Sequence, residues 1–270
     1  MDDEELWRLR LQKVVDAVRS WEVRIERPDE IAARSSIDRD DEGLPGHPVR
    51  SAAWYGLIAA VDCLGLVADL SKELTLRPSS MFTSTRAALL GASQAVWVLT
   101  GTREVRQLRA LSVANDEYKN HRGFVNDYAK DPFIRQGQPA GMVAELEDLA
   151  QKLTDKMHAL KELRQGKPYA GDFSSTVMMR EAAAHLSSQP ETDEWLRLAL
   201  GYEWRMASAA AHARSWPMHV RKTERESLPD GGEIRRMSAS LAEVVQSCAA
   251  AALMTSEAWR LWDLRGTRHV

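Results

Sequence analysis

An all-α fold, an up-and-down bundle of about eight helices, is the structure that this 270-residue sequence predicts. Three observations lead to it. Apolar residues recur with helical periodicity along most of the chain, and the strict alternation of a half-buried β-strand is nearly absent. Two stretches, at about 48–74 and 84–100, are apolar on nearly all sides, which is typical of helices at the centre of a bundle.

The first predicted helix covers about 4–26 and is amphipathic, with arginines and acids opposite an apolar stripe. The stripe consists of Leu6, Trp7, Leu11, Val14, Val15, Val18 and Trp21. Pro28 ends this helix, and residues 27–47 are polar enough to predict an irregular surface loop. The acidic run at 38–43 lacks the spacing of a calcium-binding loop, so we expect it to be solvated.

The polar loop at 27–47 is the only position in the sequence that suggests a domain boundary. It separates an N-terminal helix and loop, residues 1–47, from a helical-bundle domain, residues 48–270. We find no internal repeat and no long linker, and we therefore expect one continuous domain.

Each predicted central helix carries a charge that needs an explanation. Asp62 lies in the middle of the stretch that begins near Pro48, and Arg86 lies in the first turn of the next helix. An unpaired buried charge is very costly, so we expect Asp62 and Arg86 to pair with each other or with charges on neighbouring helices. The alternative is a cleft in which Arg86 binds an anion. Both residues are candidates for substrate binding.

Five further helices complete the predicted bundle. Thr102 can cap the fourth, and Thr192 can cap the seventh. Short turns between neighbouring helices favour a single antiparallel bundle. The expected ranges are about 102–130, 140–165, 174–188, 192–215 and 238–264.

Composition excludes several classes of protein. The net charge of −3 provides no overall basic field, so DNA binding is not indicated. The most hydrophobic stretch, 52–70, contains Asp62 and Asp69, which favours a buried helix over a membrane span. The first residues do not resemble a signal peptide, and we expect a cytoplasmic protein. Zinc-protease, phosphate-loop and dinucleotide motifs are absent, and the sequence predicts neither a metal nor a cofactor.

The strongest chemical candidate lies in the seventh predicted helix. At 100° per residue, Arg205, Ser208 and His212 fall within one narrow stripe that also contains Gly201. The stripe borders an apolar face to which Tyr202 belongs, and Tyr202 is a further candidate for substrate binding. A histidine can act as a general base near neutral pH, and an arginine can hold a phosphate. His212 would activate a ribose 2′-hydroxyl while Arg205 holds the scissile phosphate of an RNA.

The spacing Arg205-x6-His212, late in a helical bundle, resembles the R-x4-6-H motif of HEPN-domain proteins. Many members of that group are metal-independent endoribonucleases whose active site is often shared across a dimer. The segment RAALLGASQAVWVL, followed by RxxR at 103–106, is also similar to uncharacterised helical bacterial proteins. The resemblance implies a HEPN-like bundle that forms a homodimer, with catalysis by Arg205, Ser208 and His212 and RNA as substrate or partner in a defence or stress system.

Two other functions remain open at this stage. A non-catalytic interaction or dimerisation module would expose a large apolar face. If His212 is only structural, we expect it to be satisfied by a hydrogen bond at a helix–helix boundary. A small-molecule-binding bundle would instead enclose a cavity near Asp62 and Arg86.

Overall fold

The structure, a computed structural model, describes residues 2–27, 30–44, 46, 48–72, 76–136, 141–164, 174–190, 192–220, 224–230, 233–236 and 239–268. The described chain is all-α, as predicted, apart from one small hairpin. Its long helices are α1 (Asp3–Glu26), α3 (Val49–Lys72), α4 (Pro78–Leu99), α5 (Arg103–Lys130), α7 (Met142–Leu163), α8 (Ser175–Ser187), α9 (Glu194–Ala211) and α11 (Leu241–Gly266). The short helices are α2 (Ser36–Asp41), α6 (Pro132–Arg135) and α10 (Pro217–Val220).

Helices α3 and α4 form the centre of the bundle, and they approach closely at two glycines. A methyl group added to Gly56 or to Gly91 would lie 2.5 Å from the carbonyl oxygen of the other residue. No larger residue fits there without moving a helix backbone. Helices α8, α9 and α11 pack on α4, and helix α1 packs on α3 and α11. Helices α5 and α7 pair with each other, and α5 also packs on α3 and α4.

Helix α4 starts earlier than the sequence pattern suggested. It begins at Pro78 instead of near residue 84, because proline is favoured in the first helical turn, where its missing N–H costs nothing. The additional turn contributes Met81 and Phe82, which are 1% exposed, to the core. Thr102 caps α5 as predicted and accepts a hydrogen bond from the Val105 amide.

Asp62 is not a buried charge, and this prediction was wrong. It is exposed on α3, in a stripe at alternating spacings of four and three residues that faces away from the core. The stripe consists of Tyr55, Ala59, Asp62, Leu66 and Asp69. The sequence does not show that this stripe faces solvent, because three of its five residues are apolar. By length and composition α3 could cross a membrane, yet half of its candidate span is buried against other helices, as in the core of a soluble protein.

The predicted loop at 27–47 contains α2, and the expectation that its acidic run is solvated fails at Asp40. That carboxylate is 1% exposed and accepts two hydrogen bonds from Arg106, at 2.6 and 2.9 Å. Ile37 on the same short helix is fully buried. A bidentate arginine satisfies the carboxylate and ties α2 to α5.

The end of the chain differs from the prediction in two places. Residues Glu224–Ser227 and Glu233–Arg236 form β1 and β2 of an antiparallel hairpin, in a stretch for which the sequence predicted no regular element. Helix α11 begins at Leu241, after a capping box in which Ser240 and Glu243 satisfy each other's backbone amides.

Candidate functional site

The predicted catalytic stripe lies at the C-terminal end of α9, and the helix ends sooner than expected. It stops at Ala211, so His212 is the residue that caps it, with φ −99° instead of a helical value. The side chains of Arg205 and His212 are exposed, and neither forms a hydrogen bond or ion pair within the described chain. His212 is therefore not the enclosed, hydrogen-bonded histidine of a helix boundary.

Ser208 and Arg86 meet, although they were predicted to serve different roles. The Nε of Arg86 donates a hydrogen bond of 3.0 Å to the Ser208 hydroxyl. The same guanidinium lies over the ring of Trp204, 4.9 Å from its centroid. Arg86 is half-buried and needs no carboxylate, because the ring face and the hydroxyl replace part of its hydration. The expected pair with Asp62 does not form.

The site residues thus fall into separate groups. Arg86 and Ser208 are in contact, Arg205 and His212 share an exposed end of α9, and Asp62 lies on the outer face of α3. Tyr202 is half-exposed and lines a separate feature, a groove whose lining residues on α9 include neither Arg205 nor His212. Neither of the two cavities described below is lined by Asp62 or Arg86.

The groove that Tyr202 lines has a volume of about 940 Å³. Helix α11 forms its floor, and α1 and α9 form its walls. Both walls pack against α11, but neither packs appreciably against the other, so the outer face of α11 stays open between them. The groove is lined by Trp7, Arg10, Lys13, Val14, Ala17, Trp21, Trp195, Leu196, Leu198, Ala199, Leu200, Tyr202, Glu203, Val245, Gln246, Ala249, Ala250, Ala252, Leu253 and Ser256.

Large apolar side chains are exposed along this groove. On the α9 wall, Trp195 is 75% exposed and both Leu198 and Tyr202 are 50% exposed, at the spacing i, i+3, i+7 of one helix face. On the floor, Leu253 is 50% exposed among alanines. Single exposed apolar residues are ordinary, but a contiguous patch of this kind marks an interaction surface.

The groove has basic groups on one rim. Arg10 and Lys13 on α1 are exposed, and neither forms an ion pair with the described residues. The Arg10 guanidinium lies over the Trp7 ring at 4.5 Å, which fixes it beside the groove. The one carboxylate among the lining residues, Glu203 on α9, already interacts with another group.

A polar cluster that the sequence pattern did not reveal joins α8 to α11. Glu257 on α11 is 5% exposed; it accepts two hydrogen bonds of 2.7 Å from Arg260 and one of 2.8 Å from His185 on α8. Burial alone would raise the pKa of Glu257, but the hydrogen bonds and charges of Arg260 and His185 lower it to about 2. The oxygens of Glu257 bind only groups that hold α8 and α11 in place, so this cluster is structural.

A smaller cavity of about 200 Å³ lies between α3 and α5. Within the described ranges, no group of three or more potential ligands could hold a metal ion. Cys248 is fully buried, and burial raises the pKa of its thiol to about 12, so it behaves as a small hydrophobe.

The groove residues have a sequence signal that can be recognised in retrospect. Trp195, Leu198 and Tyr202 form an apolar face on α9, but apolar faces normally predict a core. Periodicity could not show that this face lines an open groove instead of packing against another helix.

A scan against protein-family models found no matching family, and searches of curated proteins and of solved structures found no significant match.

Proposed function

We propose that this protein is a non-catalytic helical interaction module that binds a helix of a partner protein in the groove between α1, α9 and α11. One observation carries the proposal: α1 and α9 flank α11 without closing over it, and they leave an apolar, helix-sized gap. Helix-in-groove binding uses such a surface, with anchors from the guest at i, i+3, i+4 and i+7.

The proposal also explains side chains that the isolated chain leaves exposed. Trp195 and Tyr202 are of the residue types that dominate binding energy at interfaces, because they bury a large area at little entropic cost. Leu253 on the floor would become enclosed by a guest helix. Burial of a leucine contributes about 1.5–3 kcal/mol, so a few such contacts can offset the cost of association.

The experiment is a selection from a displayed library of 18-residue helical peptides with randomised faces. We expect the peptides selected by the wild-type protein to carry an apolar face at helical spacing. Leu253→Arg should weaken them at least about tenfold, or ~1.4 kcal/mol. Leu66→Arg is the matched control, since Leu66 on α3 is 51% exposed and Leu253 is 50% exposed. Selection of no helical pattern, or equal binding to both variants, would contradict the proposal.

A second candidate function is the cleavage of RNA by Arg205 and His212. Its support is the resemblance to the HEPN motif, together with the exposure of both side chains and their freedom from other described partners. A phosphodiester and its 2′-hydroxyl could therefore reach the general base and the cation. Two such sites brought together in a homodimer would form the shared active site that the resemblance implies.

The test of that candidate compares purified wild-type protein with His212→Ala on a fluorescent single-stranded RNA. His158→Ala is the matched control, because His158 is an exposed histidine on the distant α7. The enzyme candidate predicts cleavage by the wild type and the control, and its loss in His212→Ala. Equal cleavage by all three proteins would identify a contaminating nuclease and reject the enzyme.

A further inference from the structure

We infer that the groove selects an amphipathic helix whose flank on the α1 side is acidic, so that the exposed cations of α1 determine partner specificity. This inference rests on the proposed function and adds the chemistry of the occupant. It follows from the shape of the groove, from its floor and from the charges on its rim.

The shape favours a helix over an extended peptide. The lining residues on α1 extend from Trp7 to Trp21, about 21 Å at the helical rise, and those on α11 extend from Val245 to Ser256, about 16 Å. Both lengths correspond to three or four turns of a guest helix. The floor and both walls are helices, whose backbone N–H and C=O groups are paired within each helix. An extended segment would find no strand edge there, whereas a helix brings its own hydrogen bonds.

The floor allows the guest backbone to come close. Ala249, Ala250 and Ala252 of α11 line the groove, with Leu253 the larger residue among them. Small side chains shorten the distance at which two helices pack, and the larger guest side chains then fill the space beside them. The walls add Trp195 and Leu198, which would cover the guest from the α9 side.

The rim supplies the charge preference. Arg10 and Lys13 are three residues apart on α1, so they lie on one side of that helix, about 4.5 Å apart along its axis. Both are exposed and have no acidic partner among the described residues. A guest with acids at i and i+3 or i+4 on its flank would pair with both cations. A guest with lysines there would place like charges together, which lowers its affinity.

The experiment uses two designed 18-residue peptides with the same leucine face and the same length. One carries four glutamates along one flank, and the other carries four lysines at the same positions. Fluorescence anisotropy at 50 mM and 300 mM salt reports both affinities. We expect the acidic peptide to bind wild-type protein at least tenfold more tightly at 50 mM salt. The difference should shrink severalfold at 300 mM salt because exposed charges are screened.

A double charge reversal, Arg10→Glu with Lys13→Glu, should invert the preference between the two peptides. The matched control is Lys119→Glu with Lys130→Glu, which changes net charge equally at two exposed lysines of α5, far from the groove. The control should preserve the preference, which separates a local contact from the effect of net charge.

The outcomes separate this inference from the proposed function. If both peptides bind equally and Leu253→Arg weakens both, the groove binds helices and the charge inference is wrong. If neither peptide binds, the proposed function fails as well. If sedimentation shows a dimer of the wild type that Leu253→Arg dissociates and Leu66→Arg does not, a second copy occupies the groove and the inferred partner is wrong.

Discussion

The outward-facing stripe of α11 has two halves, which differ in charge and in their contacts with neighbouring helices. In the first half, Gln246, Ala249, Leu253 and Ser256 face outward and are uncharged. In the second half the stripe continues with Arg260 and Asp263. The first half is the open floor of the groove, and the second half is bound to its neighbours.

Ion pairs and stacking close the second half. Asp263 forms an ion pair of 2.6 Å with Arg24 of α1, whose guanidinium lies 4.0 Å from the centroid of the Trp259 ring. Arg260 binds Glu257 on its own helix. A solvated helix face normally carries such charges. The uncharged half therefore fits the proposal that this part of α11 is the floor of a helix-binding groove.

The largest effect that would test this comparison comes from removing one large side chain in each half. Trp259 is 3% exposed and packs edge-on against Trp54, whereas Leu253 is half-exposed. We expect Trp259→Ala to lower the free energy of unfolding by about 3–5 kcal/mol. Leu253→Ala should lower it by less than ~1 kcal/mol. Urea denaturation measures both, and a large loss in Leu253→Ala would mean that the groove is part of the core.

The buried ion pair between Arg106 and Asp40 gives the next largest effect on stability. Arg106→Met removes both short hydrogen bonds to the buried Asp40 carboxylate and leaves only the more distant, exposed Arg103 beside it, so it should cost about 3–5 kcal/mol of stability. Arg103 is the matched control, because its Nε lies 3.8 Å from the same carboxylate but its side chain is 50% exposed. Thermal denaturation of Arg103→Met should show a loss below about 1 kcal/mol. Similar losses in the two variants would show that Asp40 does not depend on Arg106.

Acid sensitivity should reside in the Glu257 cluster. Because the pKa of Glu257 is lowered to about 2, its contribution is complete above its ordinary value of 4.5 and is lost as the pH falls from 4.5 toward 2. We expect wild-type protein to lose about 3 kcal/mol more than Glu257→Gln over that window. Stability measured from pH 6 to pH 2 checks this. Glu4→Gln, at an exposed pair, should follow the wild type, and identical curves for all three would contradict the assignment.

The smallest effect concerns the two central helices. Gly91→Ala would place a methyl group 2.5 Å from the Gly56 carbonyl oxygen, so α3 and α4 must move apart. We expect a loss of about 2 kcal/mol. Gly201→Ala in α9 is the control, since a methyl group there meets nothing within 4 Å. That variant should gain up to ~1 kcal/mol from helix propensity. Calorimetry measures both, and a stable Gly91→Ala would show that the close approach can relax.

Much of the helical framework could be predicted because local rules control it. Periodicity placed most ends of the long helices within four residues of where the described chain has them, and Thr102 was correctly identified as a cap. The exception is α4, which begins at Pro78 and not near residue 84. Errors arose where a local pattern has two structural solutions. Asp62 sits in an apolar segment, but one stripe of α3 faces solvent, and periodicity alone does not assign that stripe.

The candidate site was less predictable. The spacing of Arg205 and His212 assumed a helix that continues past residue 211, yet the helix ends there and His212 is its C-terminal cap. Arg86 and Ser208 are 122 positions apart, and no spacing rule connects them. Asp40 appeared in an acidic run, where solvation is the ordinary expectation, and only its contact with Arg106 makes it a buried residue.

The sequence by itself determined the class of this protein, the order and approximate limits of its helices and the apolar faces that drive them together. These follow from backbone hydrogen bonding and side-chain periodicity, which act over a few residues. Tertiary structure alone decided which apolar faces remain open. Whether Trp195, Leu198 and Leu253 lie in a core or along a groove depends on whether α1 and α9 meet over α11, and that is a matter of packing between helices far apart in the chain.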